Sequence, residues 1–399
     1  MKRIYDSLIL IHFKENRQMV FLTGPRQVGK TTTAKSVEGK FIYSNWDNQS
    51  DRLAITGGPE KFLDNFHLRK VKSKGTGIIF DEIHKYSKWK TFLKGFFDSY
   101  GENYKTIVTG SARMNIFKKG GDSLMGRYFL YRMHPLSIRE LKTSKISFSE
   151  ISDPIKTDRD TIDQLLEYGG FPEPFLKNNK RFYNRWKKLR LEQFFYEDLR
   201  DLTNIQEVGQ IEILAKLLES MTGQLINYTT LARQINVSVD TIKRWIGTLD
   251  QMYYLFSIRP WYKNVPKSLR KQPKIYLWDW SVLDDKGAKY ENFIASHLLK
   301  AVQFWNDYGF DDYGLYFLRD KMKREVDFLV TKKNTPWMLV EVKSSKSSNV
   351  SSNLHYYNNL LKTKYCFQIN FDSLFIERDC FSLNGPVKVP VSTFLSQLV

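Results

Sequence analysis

Short apolar runs closed by turn residues recur through the first third of the chain: Met19-Val20-Phe21-Leu22, Phe41-Ile42-Tyr43, Ile78-Ile79-Phe80, Thr106-Ile107-Val108-Thr109 and Tyr128-Phe129-Leu130-Tyr131. Runs of this length closed by turn residues read as buried strands, so this part reads as an α/β domain. Ile4, Tyr5, Leu8, Ile9, His12 and Phe13 share one face of a helix over 4–13. A second helix runs from Thr32 to Val37 and ends at Gly39. The polar, Gly- and Asp-containing stretch from Asn45 to Pro59 reads as a loop.

From about residue 146 the pattern turns helical. Glu167-Tyr168-Gly169-Gly170-Phe171-Pro172-Glu173-Pro174 reads as a shaped connection. Between Arg181 and Arg190 cations alternate with aromatics, which suits either a surface that tracks a nucleic-acid backbone or a helix with one wet and one buried face. Ile211, Leu214, Leu217, Leu218 and Met221 form a stripe, and Leu231, Ala232 and Ile235 begin a second helix that breaks near Asn236. Ser238 can cap a third, with Val239, Ile242, Ile246 and Leu249 inward. This spacing predicts a helix-turn-helix, with Tyr253 to Ile258 as a wing strand and Thr241, Lys243 and Arg244 facing DNA. As a lid or protein contact the same module would touch no DNA.

The last part again predicts strands: Ile275 to Asp279, Leu315 to Leu318, Val326 to Val330, Trp337 to Lys343 and Tyr365 to Asn370. A helix carrying Glu291, Ile294, Ala295, Leu298 and Leu299 lies among them. Three segments follow from these shifts: 1–145, 146–272 and 273–399.

Charge sharpens the picture. In 399 residues, 62 Lys and Arg oppose 43 Asp and Glu, leaving +19, an excess that attracts a polyanion. Lys263, Lys267, Arg270, Lys271 and Lys274 extend the basic surface after the wing. No apolar run approaches the roughly 18–20 residues of a membrane span, which favours DNA over a membrane as partner. The start lacks the pattern of a signal peptide. Cys366 and Cys380 form neither a CxxC pair nor a disulfide framework, so a cytoplasmic protein without structural zinc is expected.

The chemistry concentrates at two places. Gly24-Pro25-Arg26-Gln27-Val28-Gly29-Lys30-Thr31 follows a buried strand and opens a helix, the context of a phosphate-binding loop. Gly24 and Gly29 let backbone amides close on phosphate, Lys30 supplies a point charge, and the Thr31 hydroxyl suits Mg²⁺. Pro25 lies within the loop and Thr32 just beyond it, and both are expected at the nucleotide. The strand ending in Asp81-Glu82 places Asp81 toward Mg²⁺ and Glu82 where it can polarise the attacking water. Thr109 or Ser111 can sense the γ-phosphate, and Arg113 and Arg127 are candidate arginine fingers or else surface ion-pair partners.

At the other end Asp327 interrupts an apolar strand, while Glu341 and Lys343 share one face of the next. Carboxylates on adjacent strands repel unless a cation joins them. Asp327, Glu341 and the Val342 carbonyl therefore read as ligands for Mg²⁺ or Mn²⁺, with Lys343 to activate water or stabilise a pentavalent phosphate. Glu291 can bind a second metal or orient the first set of ligands, and Gln368 is a further candidate for the cleft.

The phosphate loop, Phe80-Asp81-Glu82-Ile83, Thr109-Gly110-Ser111, Met125-Gly126-Arg127 and Pro135-Leu136-Ser137-Ile138-Arg139-Glu140 together resemble a prokaryotic family of AAA-type P-loop ATPases. Members carry a winged-helix segment and a C-terminal restriction-endonuclease-like domain of the PD-(D/E)xK class. The resemblance implies ATP as ligand and an AAA-like core. It also matches helix Glu291, strand Asp327, then Glu341-x-Lys343 to the endonuclease motif. Two readings follow: ATP turnover gates a metal-dependent nuclease on DNA, or an ATP-switched DNA- or protein-binding module carries an inactive nuclease fold. Self-association or a protein partner stays open.

Overall fold

The computed structural model describes residues 1–68, 75–110, 124–200, 207–262, 271–343 and 349–399. Ser111, Arg113, Lys263, Lys267 and Arg270 lie outside the described residues. Two compact units emerge: Met1–His134 with Thr143–Ile146, and Pro135–Lys142 with Ser147–Val399.

In the first unit the apolar runs become a five-stranded parallel sheet: β1 (Met19–Thr23), β2 (Phe41–Asn45), β3 (Gly77–Asp81), β4 (Lys105–Gly110) and β5 (Tyr128–Arg132). Their order is β2-β3-β4-β1-β5. β4 therefore stands between the strand that enters the phosphate loop and the strand that ends in Asp81. The helices are α1 (Ile4–Glu15), α2 (Lys30–Ser36), α3 (Gln49–Thr56), α4 (Pro59–Asn65) and α5 (Trp89–Tyr100). In one core Phe92 meets Phe62 and Phe80, and Phe80 meets Phe96, edge to face, an arrangement that ring quadrupoles favour.

The stretch read as a loop, Asn45 to Pro59, contains helix α3. Asn48 caps it by accepting from the amides of Ser50 and Asp51, and Ala54 and Ile55 are buried. Two apolar anchors and a good cap hold a short helix that composition alone hides.

The second unit holds a seven-stranded mixed sheet in the order β12-β11-β10-β9-β8-β6-β7. Its strands are β6 (Leu255–Pro260), β7 (Lys274–Leu277), β8 (Tyr313–Arg319), β9 (Glu325–Lys332), β10 (Thr335–Lys343), β11 (Tyr365–Asn370) and β12 (Pro386–Pro390). Around it lie α6 (Ile138–Lys142), α7 (Arg159–Tyr168), α8 (Pro172–Lys177), α9 (Lys180–Gln193), α10 (Val208–Ser220), α11 (Tyr228–Ile235), α12 (Val239–Gln251), α13 (Lys286–Tyr308), α14 (Ser352–Leu361) and α15 (Val391–Ser396).

β6, expected as a wing, pairs antiparallel with β7 and parallel with β8. The strand that follows α12 and the C-terminal strands thus share one sheet. On α9 the second of the two alternatives holds: Tyr183 and Trp186 are buried, and Arg190 ion-pairs with Asp279 at 3.2 Å. Glu140 and Lys300 form a buried pair at 2.5 Å, 3% and 1% exposed; Lys300 Nζ also donates to Ser137 Oγ and the Pro135 carbonyl. The Pro135–Glu140 motif is therefore a socket for a lysine of α13. Among the described residues no helix is long and apolar enough to cross a membrane.

Candidate nucleotide site and C-terminal carboxylate cluster

The loop between β1 and α2 is shaped by its backbone. Gly29 has φ 99°, and Gly24 has φ 149°, where a Cβ would lie 2.2 Å from the Met133 carbonyl oxygen. Gly24 is thus demanded by the chain after β5 as well as by phosphate. Arg3, ahead of α1, is buried and donates to the carbonyls of Val28 at 2.8 Å and His134 at 2.7 Å. The loop is therefore braced from behind by a residue that carries no nucleotide signature. Lys30 is buried, with Nζ 2.7 Å from the Pro25 carbonyl and 3.0 Å from that of Gly24. Thr31 is half-buried and Thr32 exposed.

Asp81 is the hub. Its Oδ2 accepts from Thr31 Oγ1 at 2.9 Å and from the Tyr43 hydroxyl at 2.7 Å. Its Oδ1 accepts from Thr109 Oγ1, which leaves that hydroxyl committed to the carboxylate. A hydroxyl and a carboxylate at this separation are the hard oxygen donors that Mg²⁺ prefers, so the residues present fit the ion. Tyr43 has no motif signature; the parallel register of β2 on β3 brings it there. Tyr43→Phe is expected to weaken apparent Mg²⁺ affinity in ATP hydrolysis by about 10–100-fold, since a group orienting a ligand is lost. An unchanged Mg²⁺ titration would remove Tyr43 from this role.

Glu82 follows in the left-handed region, φ 55° and ψ 19°, a conformation that costs a non-glycine residue about 1–3 kcal/mol and recurs at functional positions. Burial pushes its carboxyl above the usual range, opposed by the charges of Lys85 and Lys30. Arg127 is held by Asp98 through two hydrogen bonds of 2.7 and 2.9 Å, the ion-pair alternative to a finger.

In the second unit, the antiparallel register that sets Val340 opposite Phe328 brings Asp327 level with Glu341, and Gln368 pairs in parallel with Glu341 from the other side. Lys343 Nζ lies 2.7 Å from Glu341 Oε1, while Glu341 Oε2 is buried with no hydrogen-bond partner among the described residues. The Val342 backbone meets Asp327 through its N–H, at 2.8 Å.

Lys274 differs most from expectation. It belongs to no basic surface: it is 3% exposed, and its Nζ lies 3.1 Å from Glu291, 2.7 Å from Glu325 and 4.0 Å from Asp327. An ammonium of the chain itself thus stands among Glu291, Glu325 and Asp327. Glu291 also accepts from the Tyr276 hydroxyl at 2.7 Å, and Glu325 from Arg319 at 2.5 Å. Burial raises the Asp327 carboxyl, and the Glu291 charge adds to it; burial likewise raises Glu341. Among the described residues no group of three or more His, Cys, Asp and Glu is arranged to hold a metal. Lys274 had one sequence signal, its place two residues before Tyr276 on a strand, which puts both on one face.

Over the stretch read as a helix-turn-helix the chain forms α10, α11 and α12. Ser238 Oγ accepts from the Thr241 amide at 3.0 Å and meets its hydroxyl at 2.9 Å, so Thr241 completes the cap. Lys243 and Arg244 are exposed. Trp245 is fully buried beside Ile242, whereas Val239 is half-buried.

Residues 16–142 match a family described as an AAA domain, residues 131–285 a domain of unknown function (DUF8612), and residues 286–378 another domain of unknown function (DUF4143). The chain is similar to an uncharacterized protein of Mycobacterium tuberculosis, 24% identical over 351 residues that cover 84% of this chain and 72% of that one. It is also similar to an uncharacterized protein of Methanocaldococcus jannaschii, 24% identical over 329 residues, 78% of this chain and 71% of that one. Of solved structures, the Aeropyrum pernix ORC1 protein in complex with DNA aligns over 74% of this chain and 91% of that chain, at 13% identity and a TM-score of 0.33. The loop and the Asp81 geometry agree with the first match, which likens residues 16–142 to an AAA domain.

Proposed function

We propose that this chain hydrolyses ATP at the Gly24–Thr31 loop and uses the turnover to act on DNA. The observation that carries the first half is the Thr31–Asp81 contact with Glu82 one residue beyond it. Gly24 to Gly29 wrap the phosphates with backbone amides, and Lys30 places its charge on the outer ones. Glu82 orients a water for attack and takes its proton. Thr31 and Asp81 are the residues that would hold Mg²⁺, which when bound would supply charge neutralisation at the phosphate oxygens.

The DNA half is supported by the exposed Lys243 and Arg244 on the recognition helix and by the net charge of +19. For the C-terminal cluster, Lys274 among Glu291, Glu325 and Asp327 favours recognition without cleavage over a gated nuclease. We divide the roles as ATPase in 1–145, DNA contact in 146–272 and nucleic-acid recognition in 273–399.

Purified protein should hydrolyse ATP with Mg²⁺, and Lys30→Ala should abolish it. A short DNA duplex should bind, with Lys243→Glu/Arg244→Glu weakening it and lowering the salt dependence by about one unit of slope per lost phosphate contact. Duplex and single-stranded DNA should stay intact with Mg²⁺ or Mn²⁺. Metal-dependent cleavage that disappears in Glu341→Ala would establish the nuclease reading instead.

A further inference from the structure

A cleft of ≈ 780 Å³ opens in the second unit where β6, β8 and α14 meet. That volume lies within the range of small-ligand sites, roughly 300–1,000 Å³. Trp261, Tyr262, Phe317 and Tyr357 line it together with Lys271 and Lys321. Trp261 is fixed at its backbone by an N–H donated to the Phe317 carbonyl at 2.9 Å, and its ring packs on the small core of Leu318, Leu354 and Tyr357. An aromatic residue so held, and still half-exposed, offers a rigid face at low entropic cost.

The charges of the cleft are sorted. Asp320 is taken by Arg324 at 2.6 Å and Arg319 by Glu325 at 2.5 Å, while Lys271 and Lys321 are exposed. What the wall presents outward is therefore two cations beside the half-exposed Trp261 and Tyr262, over a floor that holds the buried Phe317 and Tyr357. Beside it, the Arg324 guanidinium lies 3.7 Å over the ring of the exposed Tyr356. Aromatic faces that stack bases, interleaved with cations that meet phosphates, are what single strands require. A duplex keeps its bases stacked inside and cannot use such faces.

We propose that this cleft binds single-stranded nucleic acid, with bases against Trp261 and Tyr262 and phosphates at Lys271 and Lys321. The inference rests on the reading that the protein acts on DNA, but it uses residues separate from the duplex contact. An acidic peptide would meet the lysines and leave the aromatic faces unused. The cleft wall is also continuous with the carboxylate cluster, because Arg319 pairs with Glu325 and Glu325 with Lys274.

The test is fluorescence anisotropy of the full chain with labelled oligothymidine and, separately, a labelled duplex at equal salt. Lys271→Glu/Lys321→Glu and Trp261→Leu should each weaken the oligonucleotide by about tenfold or more while duplex binding holds, and the thermal midpoint should hold in the surface double charge reversal. Lys243→Glu/Arg244→Glu should do the reverse. The proposal is overturned if wild-type protein does not bind oligothymidine, if the double charge reversal leaves that affinity unchanged, if both DNA forms weaken equally, or if polyglutamate displaces the oligonucleotide as well as unlabelled oligothymidine does. Oligothymidine binding without duplex binding would retain the cleft and remove the role of the recognition helix.

Discussion

Glu82→Gln is expected to lower the turnover number for ATP hydrolysis by about 10²–10⁴-fold while nucleotide affinity changes little. Gln preserves the size of the side chain and the left-handed backbone after β3, but an amide cannot take a proton from water. Lys30, the loop amides and Asp81 are untouched, so the ground-state contacts to phosphate persist. The pH profile gives a second readout. A base acts in its ionised form, and burial raises the Glu82 carboxyl. Activity should therefore fall on acidification at a pH above that of an ordinary glutamate, and the residual activity of the Gln variant should lack that limb. Phosphate release beside equilibrium binding of a fluorescent ATP analogue checks both. Equal loss of binding and turnover would make Glu82 a structural residue.

The second large effect concerns folding. Glu140→Ala should destabilise the protein by about 3–5 kcal/mol, because it leaves the Lys300 ammonium buried without its carboxylate. Total stabilities of roughly 5–15 kcal/mol make that a loss visible as a large fall in urea midpoint. Ser137 Oγ and the Pro135 carbonyl remain for Lys300, but as neutral acceptors they offset only part of the charge. Glu140→Leu with Lys300→Met should recover most of the loss, since removing both charges also removes their desolvation cost. By contrast Lys2→Ala breaks a pair whose side chains are 68% and 70% exposed, worth about 0–1 kcal/mol. A Glu140→Ala protein as stable as Lys2→Ala would show that the burial is not maintained in solution.

Much of both units could be read along the chain. The five strand runs of the first unit, the phosphate loop, and the carboxylates at the end of β3 follow from apolar run length and motif spacing, which depend on near neighbours in sequence. The three helices at 208–251, the Ser238 cap and the strand positions of Asp327, Glu341 and Lys343 were legible for the same reason. Helix α3 was not, because two buried side chains outweigh its polar composition only once a core exists to receive them.

What only the tertiary structure decided is which distant residues meet. Tyr43 and Thr109 reach Asp81 through the pairing of β2 and β4 on β3, and Arg3 braces the phosphate loop across the start of the chain. β6, read as a wing, joins the C-terminal sheet, and β7 carries Lys274 to Glu291, Glu325 and Asp327. Residue types and spacing determine which groups can do chemistry. Strand register and burial determine which charges face one another, and that choice makes Lys274 the cation of the cluster.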